Sequence, residues 1–331
     1  MVRVNHPRNS TLSPHNWWSR FLVRVFLAGT PTIALPIFEA IVRSDIEVAG
    51  VITNPPKARG RSGSLIPSPV STWAHDRSIP VFESGTDEEF VGRLSTIDLV
   101  LVVAYGRLIP KNLLAIPKFG WVNIHFSHLP EARGAAPVQR SIEKGRSEIG
   151  YSLFRLDEGM DTGPIFHLSK PVPIANLTTG EVWHVLAHQA AGEIVSLLEE
   201  IFTGKAPFVQ PTYTGDLPLA PKITVQEARI DWSASNTAIL RKIRAFNPAP
   251  SAWTMLHKER FIIHKAEEVH EGDLPFTSDD PGEILHVRDE IYVNTGLGAI
   301  RSLEVQPFGR KAMRAVDWAR GARLEPGLRF E

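Results

Sequence analysis

The sequence predicts an α/β fold with a doubly wound, mostly parallel sheet, followed by a smaller β-barrel domain. Three observations predict it. Apolar runs of strand length alternate with helical patterns in the first half of the chain, as in parallel sheets covered by helices. A stretch rich in Pro, Gly and Thr, without periodicity, comes next. Short apolar runs separated by turn residues then indicate a small barrel.

The length of 331 residues also favours two domains, because one hydrophobic core usually stops growing at about 250–300 residues. We predict an N-terminal extension at residues 1–20 and a first domain at 21–203. A linker is expected at 204–225, where the composition changes, and the barrel domain at 226–331.

The composition excludes several classes of function. The chain has no cysteine, which excludes disulfides, thiolate nucleophiles and cysteine metal sites. Its 36 basic and 36 acidic residues balance, so a nucleic-acid partner must be bound by local basic clusters. No apolar run approaches the roughly 18–20 residues that a membrane-spanning helix needs, so we expect no membrane partner.

The first 24 residues carry four arginines and no acidic residue. This composition is found in organellar presequences and also in bacterial N-terminal extensions. Two prolines and the Trp17-Trp18 pair interrupt an amphipathic helix, which favours the extension and a cytoplasmic bacterial protein. The presequence stays open as the alternative.

Four apolar runs in the first half predict the strands of the sheet. The run after Asp98 is uninterrupted, as expected for a strand that is buried on both faces. Ligands of such sheets bind beyond the carboxyl ends of the strands. The strands are expected at 21–28, 47–53, 99–104 and 121–125, and helices near 69–75 and 87–94.

Gly29 follows the first strand and raises the question of a dinucleotide site. Ala28-Gly29-Thr30-Pro31 lacks the G-x-G-x-x-G spacing that lets a pyrophosphate approach the backbone. We therefore interpret Gly29 as the glycine of a tight turn.

A long polar insertion separates the second strand from its helix at residues 54–69. Loops of more than about 12–15 residues inside a domain are usually functional or disordered. Lys57, Arg59 and Arg61 lie among Gly, Ser and Pro. Two interpretations stay open: a solvated loop, or a basic arm that orders on a phosphate backbone.

The second half predicts a hairpin at 150–156 and 163–168 and a long helix at 179–202. A helix at 233–245 has Ile239, Leu240 and Ile243 on its inner face. Its outer face carries Arg241, Lys242 and Arg244, one of the basic clusters that could bind RNA. Barrel strands are expected at 251–256, 261–266, 282–286, 291–293 and 299–307.

Asn123, His125 and Asp161 are the candidate catalytic residues. Because side chains alternate along a strand, Asn123 and His125 share one face at the end of the fourth strand. An amide and an imidazolium can both donate to the oxyanion of a tetrahedral intermediate, and losing one such donor typically costs about 3–4 kcal/mol of barrier. A carboxylate such as Asp161 would orient the imidazole or relay a proton.

The sequence lacks the motifs of a covalent nucleophile or a metal site, which favours direct transfer between two bound substrates. There is no cysteine and no G-x-S-x-G elbow, and no H-E-x-x-H or similar spacing supplies a metal. The alternatives are a structural histidine and an aspartate that only forms a turn. Asp161-Thr162-Gly163 also matches the short motif of aspartic proteases, but a parallel α/β first half contradicts that class.

A family resemblance rests on motifs around this site. They are Asn123-x-His125, Ser127-His128-Leu129-Pro130, Arg133-Gly134-Ala135-Ala136-Pro137 and Asp157-x-Gly159-x-Asp161-Thr162-Gly163. With them the chain resembles the folate-dependent formyltransferases. Residues 28–31, 54–70, 103–106, 228–232 and 244–248 are similar to the members that formylate the methionine carried by initiator tRNA. The resemblance covers about residues 21–325.

The resemblance implies a Rossmann-like catalytic domain of the formyltransferase type and an OB-like barrel that binds tRNA. It places Asn123, His125 and Asp161 in the catalytic positions, with 10-formyltetrahydrofolate as co-substrate and no metal. Initiator methionyl-tRNA is the implied partner of a protein that we expect to be a monomer. Implied folate-binding residues are Tyr105, Gly106, Ser127, His128, Leu129, Pro130 and Asp157, and implied tRNA-binding residues are Lys57, Arg59, Arg61, Arg241, Lys242 and Arg244.

The sequence departs from the family pattern at two places. His128 stands where the family usually has leucine, which puts the local folate contacts in question. The insertion has Gly63 and Ser64 where the family often has charge. Two alternative functions stay open: a sugar-nucleotide N-formyltransferase, and a non-catalytic RNA-binding protein on the same scaffold.

Overall fold

The structure, a computed structural model, describes residues 23–59, 63–83, 88–212, 219–269, 280–322 and 324–331. The predicted extension at 1–20 and Arg61 lie outside the described residues. No helix in these ranges is long and apolar enough to cross a membrane.

Secondary structure alternates between strand and helix in the first half, as predicted. Its elements are β1 (Arg24–Gly29), α1 (Leu35–Val42), β2 (Glu47–Ile52), β3 (Lys57–Arg59), β4 (Ser64–Ile66), α2 (Pro69–His75), β5 (Val81–Phe82), α3 (Glu88–Leu94), β6 (Leu99–Val103), α4 (Lys111–Leu114), β7 (Trp121–His125), α5 (Pro137–Glu143), β8 (Glu148–Ile149), β9 (Ser152–Arg155), β10 (Ile165–Leu168), β11 (Val172–Pro173) and α6 (Thr179–Phe202).

The second half is mainly β-structure. Its elements are α7 (Asn236–Ala245), β12 (Trp253–Leu256), β13 (Glu259–Glu268), β14 (Ile284–Val287), β15 (Glu290–Asn294), β16 (Ala299–Gln306), β17 (Met313–Arg314) and α8 (Ala315–Ala322).

Seven strands form the main sheet, in the order β5-β2-β1-β6-β7-β9-β10. The first five of these are mutually parallel, and β9 and β10 add an antiparallel edge. The strand order reverses between β1 and β6, which is where doubly wound sheets bind ligands. The predicted α/β fold class is confirmed.

Both faces of the main sheet are covered. Along β7, Val122 and Ile124 face the core that contains α6, whereas Trp121 faces the core on the opposite side. The predicted alternation along this strand is therefore present. Helix α6 has the predicted bounds, because Thr178 and Glu181 form a capping box at its start.

The second sheet is a curled antiparallel half-barrel with the order β12-β13-β16-β15-β14. The fold class predicted for this half is confirmed, and each of the five predicted runs overlaps one strand. The short strand β17, which pairs with β16, and helix α8 were not predicted.

The insertion contains a short hairpin that the sequence did not predict. Lys57 on β3 pairs with Ile66 on β4, and Lys57 and Leu65 are both exposed. Three-residue strands with mostly exposed side chains have no core-facing alternation, so their hydrophobic pattern does not reveal them.

The prediction that Arg241, Lys242 and Arg244 face solvent is corrected by the packing of α7. All three side chains are half-buried, because α7 packs against α5 of the first half and β13 of the second. The Lys242 ammonium donates to the carbonyl oxygens of Glu227 and Arg229, at 2.9 and 3.0 Å. Burial and then the charge of Arg241 lower the pKa of Arg244.

The interpretation of Gly29 as a tight-turn glycine is wrong. Gly29 is the last residue of β1 and pairs with Val103 on β6. A Cβ there would lie 2.8 Å from the Val103 carbonyl oxygen and 2.9 Å from the Phe38 ring. The glycine is required because strand and helix approach closely.

We expect Gly29→Ala to lower the free energy of unfolding by about 1–3 kcal/mol, since the methyl group overpacks a buried strand end. Gly192→Ala is the matched control: Gly192 is exposed within α6 and a Cβ there meets nothing within 4 Å. The control should raise stability by up to about 1 kcal/mol. Urea denaturation measures both, and equal effects would contradict the packing argument.

A salt bridge joins α5 to the segment before the half-barrel. The Arg140 guanidinium lies 2.7 Å from Glu227 and 2.9 Å from Glu143, and only 12% of its side chain is exposed. The hydrogen bond from Arg140, followed by those from the backbone and side chain of Thr224, lowers the pKa of Glu227 to about 2.

Glu227 therefore contributes stability that is present above its unfolded pKa near 4.5 and is lost as the pH falls towards about 2. We expect Glu227→Gln to destabilise the protein at pH 6, with a difference from wild type that shrinks steadily from pH 5 to pH 2. Thermal or urea unfolding at several pH values measures this. A difference that stays constant over that range would contradict the ion pair.

Candidate active site

The carboxyl ends of β1, β2 and β6 are tied together by side chains that follow them. The Asn54 amide donates to Thr30 Oγ1 and to the Tyr105 carbonyl oxygen, both at 2.9 Å. Thr30 Oγ1 also donates to that carbonyl, at 3.1 Å. This network fixes the loop after β6 at the point where the strand order reverses.

Tyr105 and Gly106, predicted to bind folate, form the turn that this network holds. The Tyr105 ring is buried in the core beneath the sheet, and burial raises the pKa of its hydroxyl. Gly106 has a φ of +76°, which favours glycine. The turn therefore presents backbone at the edge of the sheet, beside β7.

Asn123 and His125 project from the same face of β7, as predicted. Asn123 pairs with Phe154 on β9, whose ring meets the His125 ring edge-on at a centroid distance of 6.3 Å. The Asn123 side chain is half-buried and makes no hydrogen bond within the described residues. Its amide can therefore donate to a ligand.

Asp161 lies beside His125, so the structure brings the predicted catalytic residues together. Its Oδ2 is 3.7 Å from His125 Nδ1 and accepts a hydrogen bond from the Gly134 backbone N–H at 2.7 Å. Asp161 has a φ of +52°, an unusual backbone conformation for a residue with a side chain. Positive φ at a polar residue beside a candidate catalytic histidine is typical of a functional site.

The hydrogen bonds of His125 assign its ring protons. Nε2 lies 3.1 Å from the Ala132 carbonyl oxygen, which can only accept, so Nε2 carries a hydrogen. Nδ1 faces the Asp161 carboxylate, 3.7 Å from its Oδ2. The imidazole is 6% exposed. This arrangement can hold a proton or give it to a bound substrate.

The turn after β7 contains the predicted folate-binding residues Ser127, Leu129 and Pro130. Ser127 Oγ donates to the Glu131 carbonyl oxygen at 2.7 Å. Ser152 Oγ donates to the Ser127 carbonyl oxygen and accepts from the Leu129 N–H, at 2.7 and 2.8 Å. Leu129 packs on the Phe154 ring, and the Leu129–Pro130 peptide is cis. β9 therefore supports the turn from below.

His128 is bound within the protein on the side of Gly150 and Ser169. Its Nε2 lies 2.9 Å from the Ser169 carbonyl oxygen. The ring also fills the space above Gly150, where a Cβ would lie 2.0 Å from Nε2. His128, which stands where the family usually has leucine, is therefore hydrogen-bonded to another residue of the protein. Its contact with folate stays a prediction.

Asp157 organises the turn that carries Asp161. Its Oδ1 accepts hydrogen bonds from the Gly159 N–H at 3.0 Å and from Thr162 Oγ1 at 2.7 Å. Glu158 in the same turn pairs with Lys111 on α4, at 2.7 Å. The turn is therefore held by its own hydrogen bonds and by an ion pair with helix α4.

Several groups at this site were not predicted from the sequence. Asn54 could have been found, because it is a polar residue just after the carboxyl end of β2, at the edge of the sheet where Asn123 and His125 lie. The Ala132 carbonyl and the Gly134 N–H have no sequence signal, because they are backbone groups of a loop. No group of three or more His, Cys, Asp or Glu side chains in the described ranges could hold a metal.

The residues predicted to bind tRNA lie in two places. Lys57 is exposed on β3 of the insertion hairpin, and Arg59 ends that strand. Arg241, Lys242 and Arg244 lie on α7, between the two halves of the chain.

The amino-acid sequence is similar to those of known proteins along most of its length. A formyl transferase model matches residues 22–198, and a model of the formyl transferase C-terminal domain matches residues 222–323. The methionyl-tRNA formyltransferase of Streptomyces griseus is 40% identical over 92% of this chain and 98% of its own. That of Cutibacterium acnes is 38% identical over 93% and 100%. The chain belongs to the methionyl-tRNA formyltransferase family.

Solved structures resemble the chain in fold. A methionyl-tRNA formyltransferase from Clostridium thermocellum matches with a TM-score of 0.55 at 18% identity, over 74% of this chain and 93% of its own. HypX from Aquifex aeolicus in complex with tetrahydrofolic acid matches with a TM-score of 0.64 at 16% identity. That match covers 90% of this chain and 46% of HypX. The formyltransferase fold is therefore the common feature.

We expect His128→Leu to lower the free energy of unfolding by about 1 kcal/mol, because the Ser169 carbonyl loses its hydrogen bond while the apolar volume is kept. Urea denaturation of the two proteins measures the difference. A stability equal to that of wild type would indicate that the His128–Ser169 contact contributes nothing.

Proposed function

We propose that this protein transfers the formyl group of 10-formyltetrahydrofolate to the α-amine of methionine esterified to initiator tRNA. The observation that carries the proposal is the arrangement of Asn123, His125 and Asp161 at the carboxyl edge of the sheet, in a chain of the methionyl-tRNA formyltransferase family. Both substrates are implied by the family. We expect the protein to act as a monomer in the bacterial cytoplasm.

The site suits a formyl carbonyl flanked by polar backbone. Asn123 offers an amide with no other hydrogen bond in the described part of the chain, and His125 offers a ring beside a carboxylate. The Tyr105–Gly106 turn and the 127–130 turn border these groups, and Gly106 is exposed at the edge of the sheet. A pterin carries several donors and acceptors, which such backbone can bind.

The proposed mechanism is direct transfer. The free amine of the methionyl ester attacks the formyl carbon of the folate, and the carbonyl electron pair moves to oxygen. Asn123 donates a hydrogen bond to that oxyanion, and the His125 Nε2–H does so when it exchanges the Ala132 carbonyl for the oxyanion. The intermediate collapses as the bond to folate N10 breaks. The attacking nitrogen loses one proton, and His125 with Asp161 returns one proton to N10.

The tRNA is proposed to contact the insertion hairpin and α7. Lys57 is exposed, and Arg59 and Arg61 follow it in the same insertion. Because Lys242 and Arg244 are half-buried, we expect the hairpin to contribute more of the salt-dependent affinity than α7 does.

The direct test is formyl transfer. Purified protein is mixed with 10-formyltetrahydrofolate and either charged initiator tRNA or an amino-sugar nucleotide, and formylated product is quantified. We expect product only with the tRNA. Product only with the sugar nucleotide would favour a sugar N-formyltransferase, and RNA binding without product would favour a non-catalytic RNA-binding protein.

We expect Asn123→Ala to lower kcat by about a hundredfold, because one oxyanion donor is lost. Asp161→Asn should have an effect of similar size, since the imidazole loses the carboxylate that is proposed to assist it in returning a proton to N10. Asp76→Asn, at an exposed carboxylate beyond α2, is the control and should retain wild-type kcat. Losses below tenfold in folded Asn123→Ala or Asp161→Asn protein would contradict the site assignment.

A further inference from the structure

Backbone groups of residues 132–136, the 132–136 segment, contact both His125 and Asp161. The Ala132 carbonyl oxygen lies 3.1 Å from His125 Nε2, and the Gly134 N–H donates to Asp161 Oδ2 at 2.7 Å. The segment is an irregular loop between β7 and α5. Because loops are rarely rigid by themselves, something must hold these two backbone groups in place.

A residue of the predicted linker holds the segment from its other side. The Ala220 N–H donates to the Arg133 carbonyl oxygen at 2.7 Å, and the Ala136 N–H donates to the Ala220 carbonyl oxygen at 3.0 Å. Ala220 is 1% exposed. Gly134 has a φ of +120°, and a Cβ there would lie 2.7 Å from the Ala220 oxygen. Linker and segment are therefore packed backbone against backbone.

The Arg140 side chain is hydrogen-bonded to Pro221, the residue that follows Ala220. Its Nε donates to the Pro221 carbonyl oxygen at 3.2 Å, while its two terminal nitrogens reach Glu143 and Glu227. Glu227 in turn accepts from the N–H and hydroxyl of Thr224, at 2.8 and 2.9 Å. One largely buried guanidinium thus holds both ends of residues 221–227.

The same stretch is bonded to the half-barrel. Lys242 on α7 donates to the Glu227 and Arg229 carbonyl oxygens, and the Ile230 N–H donates to the Trp253 carbonyl oxygen on β12 at 2.7 Å. Hydrogen bonds, joined by short stretches of main chain, therefore connect the second half of the chain to the 132–136 segment that contacts His125 and Asp161.

We propose that Ala220, Pro221 and the Arg140 side chain form a linker brace, in which Arg140 is a positioning residue for formyl transfer. The brace sets the positions of the Ala132 carbonyl and the Gly134 N–H, and through them the geometry of the His125–Asp161 pair. This inference rests on the proposed function. Arg140 touches neither substrate in this account and acts only through the linker and the 132–136 segment.

The test measures kcat for formylation of charged initiator tRNA as a function of pH in the full-length wild type and two variants. Arg140→Gln removes the charge that bridges Glu143 and Glu227. Ala220→Pro removes the N–H that bonds to Arg133. We expect kcat to fall by about tenfold in each, because small displacements of catalytic groups are costly. We also expect the midpoint of the pH profile to move by about half a unit or more.

The pH profile separates positioning from loss of folded protein. Above about pH 6, where Glu227 is ionised in the folded and the unfolded chain, a smaller folded fraction scales kcat equally and leaves the midpoint unchanged, whereas altered contacts to His125 and Asp161 move it. Arg140→Lys keeps the positive charge and should recover part of the activity, and it serves as the test variant if Arg140→Gln does not fold. Arg93→Gln removes an exposed ion pair with Glu89 on α3 and is the control.

Three results would overturn the proposal. One is folded Arg140→Gln and Ala220→Pro protein with the wild-type kcat and midpoint, while the wild type is active. The second is a fall in kcat without a change of midpoint, which would make Arg140 merely structural. The third is a wild type that transfers no formyl group, because then the proposed function fails and the brace fails with it.

Discussion

The parallel register of β2, β1, β6 and β7 is the constraint on which the candidate site depends. Parallel neighbours end at the same edge of a sheet, so groups that are far apart in sequence meet there. Asn54, the Tyr105 carbonyl and His125 each follow or end a different strand. The reversal of strand order between β1 and β6 opens a crevice at this edge. The antiparallel pair β9 and β10 then extends the sheet and carries the turn that brings Asp161 to His125.

Much of this could be predicted because it depends on hydrophobic periodicity. The buried strands, the bounds of α6, the hairpin around Asp161 and the shared face of Asn123 and His125 follow from strand and helix periods. What could not be predicted depends on partners that are distant in sequence. Gly29 is adjacent to a turn in sequence, but its role is set by Val103 and Phe38, which the local pattern does not contain.

The basic face of α7 illustrates a second limit. A helical pattern separates apolar from polar positions, but it does not say whether the polar face meets water or another part of the chain. Long Lys and Arg side chains can bury their aliphatic stems and keep their charged ends at backbone carbonyls, as Lys242 does. The formal net charge of the chain is zero, and Lys57 on the insertion hairpin is exposed whereas the cations of α7 are half-buried.

The contacts of the candidate catalytic pair His125 and Asp161 are mostly backbone contacts, and this has an energetic consequence. Each neutral hydrogen bond contributes only about 0.5–1.5 kcal/mol net, so no single bond between linker and 132–136 segment holds the two halves of the chain together. Catalysis is more sensitive than folding to such bonds, because about 1.4 kcal/mol of transition-state stabilisation is a factor of ten in rate. A weak connection to the half-barrel can therefore matter greatly for the geometry of His125 and Asp161 while contributing little to stability. A substitution rarely removes a backbone group, so such contacts are changed mainly through the side chains that adjoin them, and the Arg140 side chain bonds to Pro221, Glu143 and Glu227.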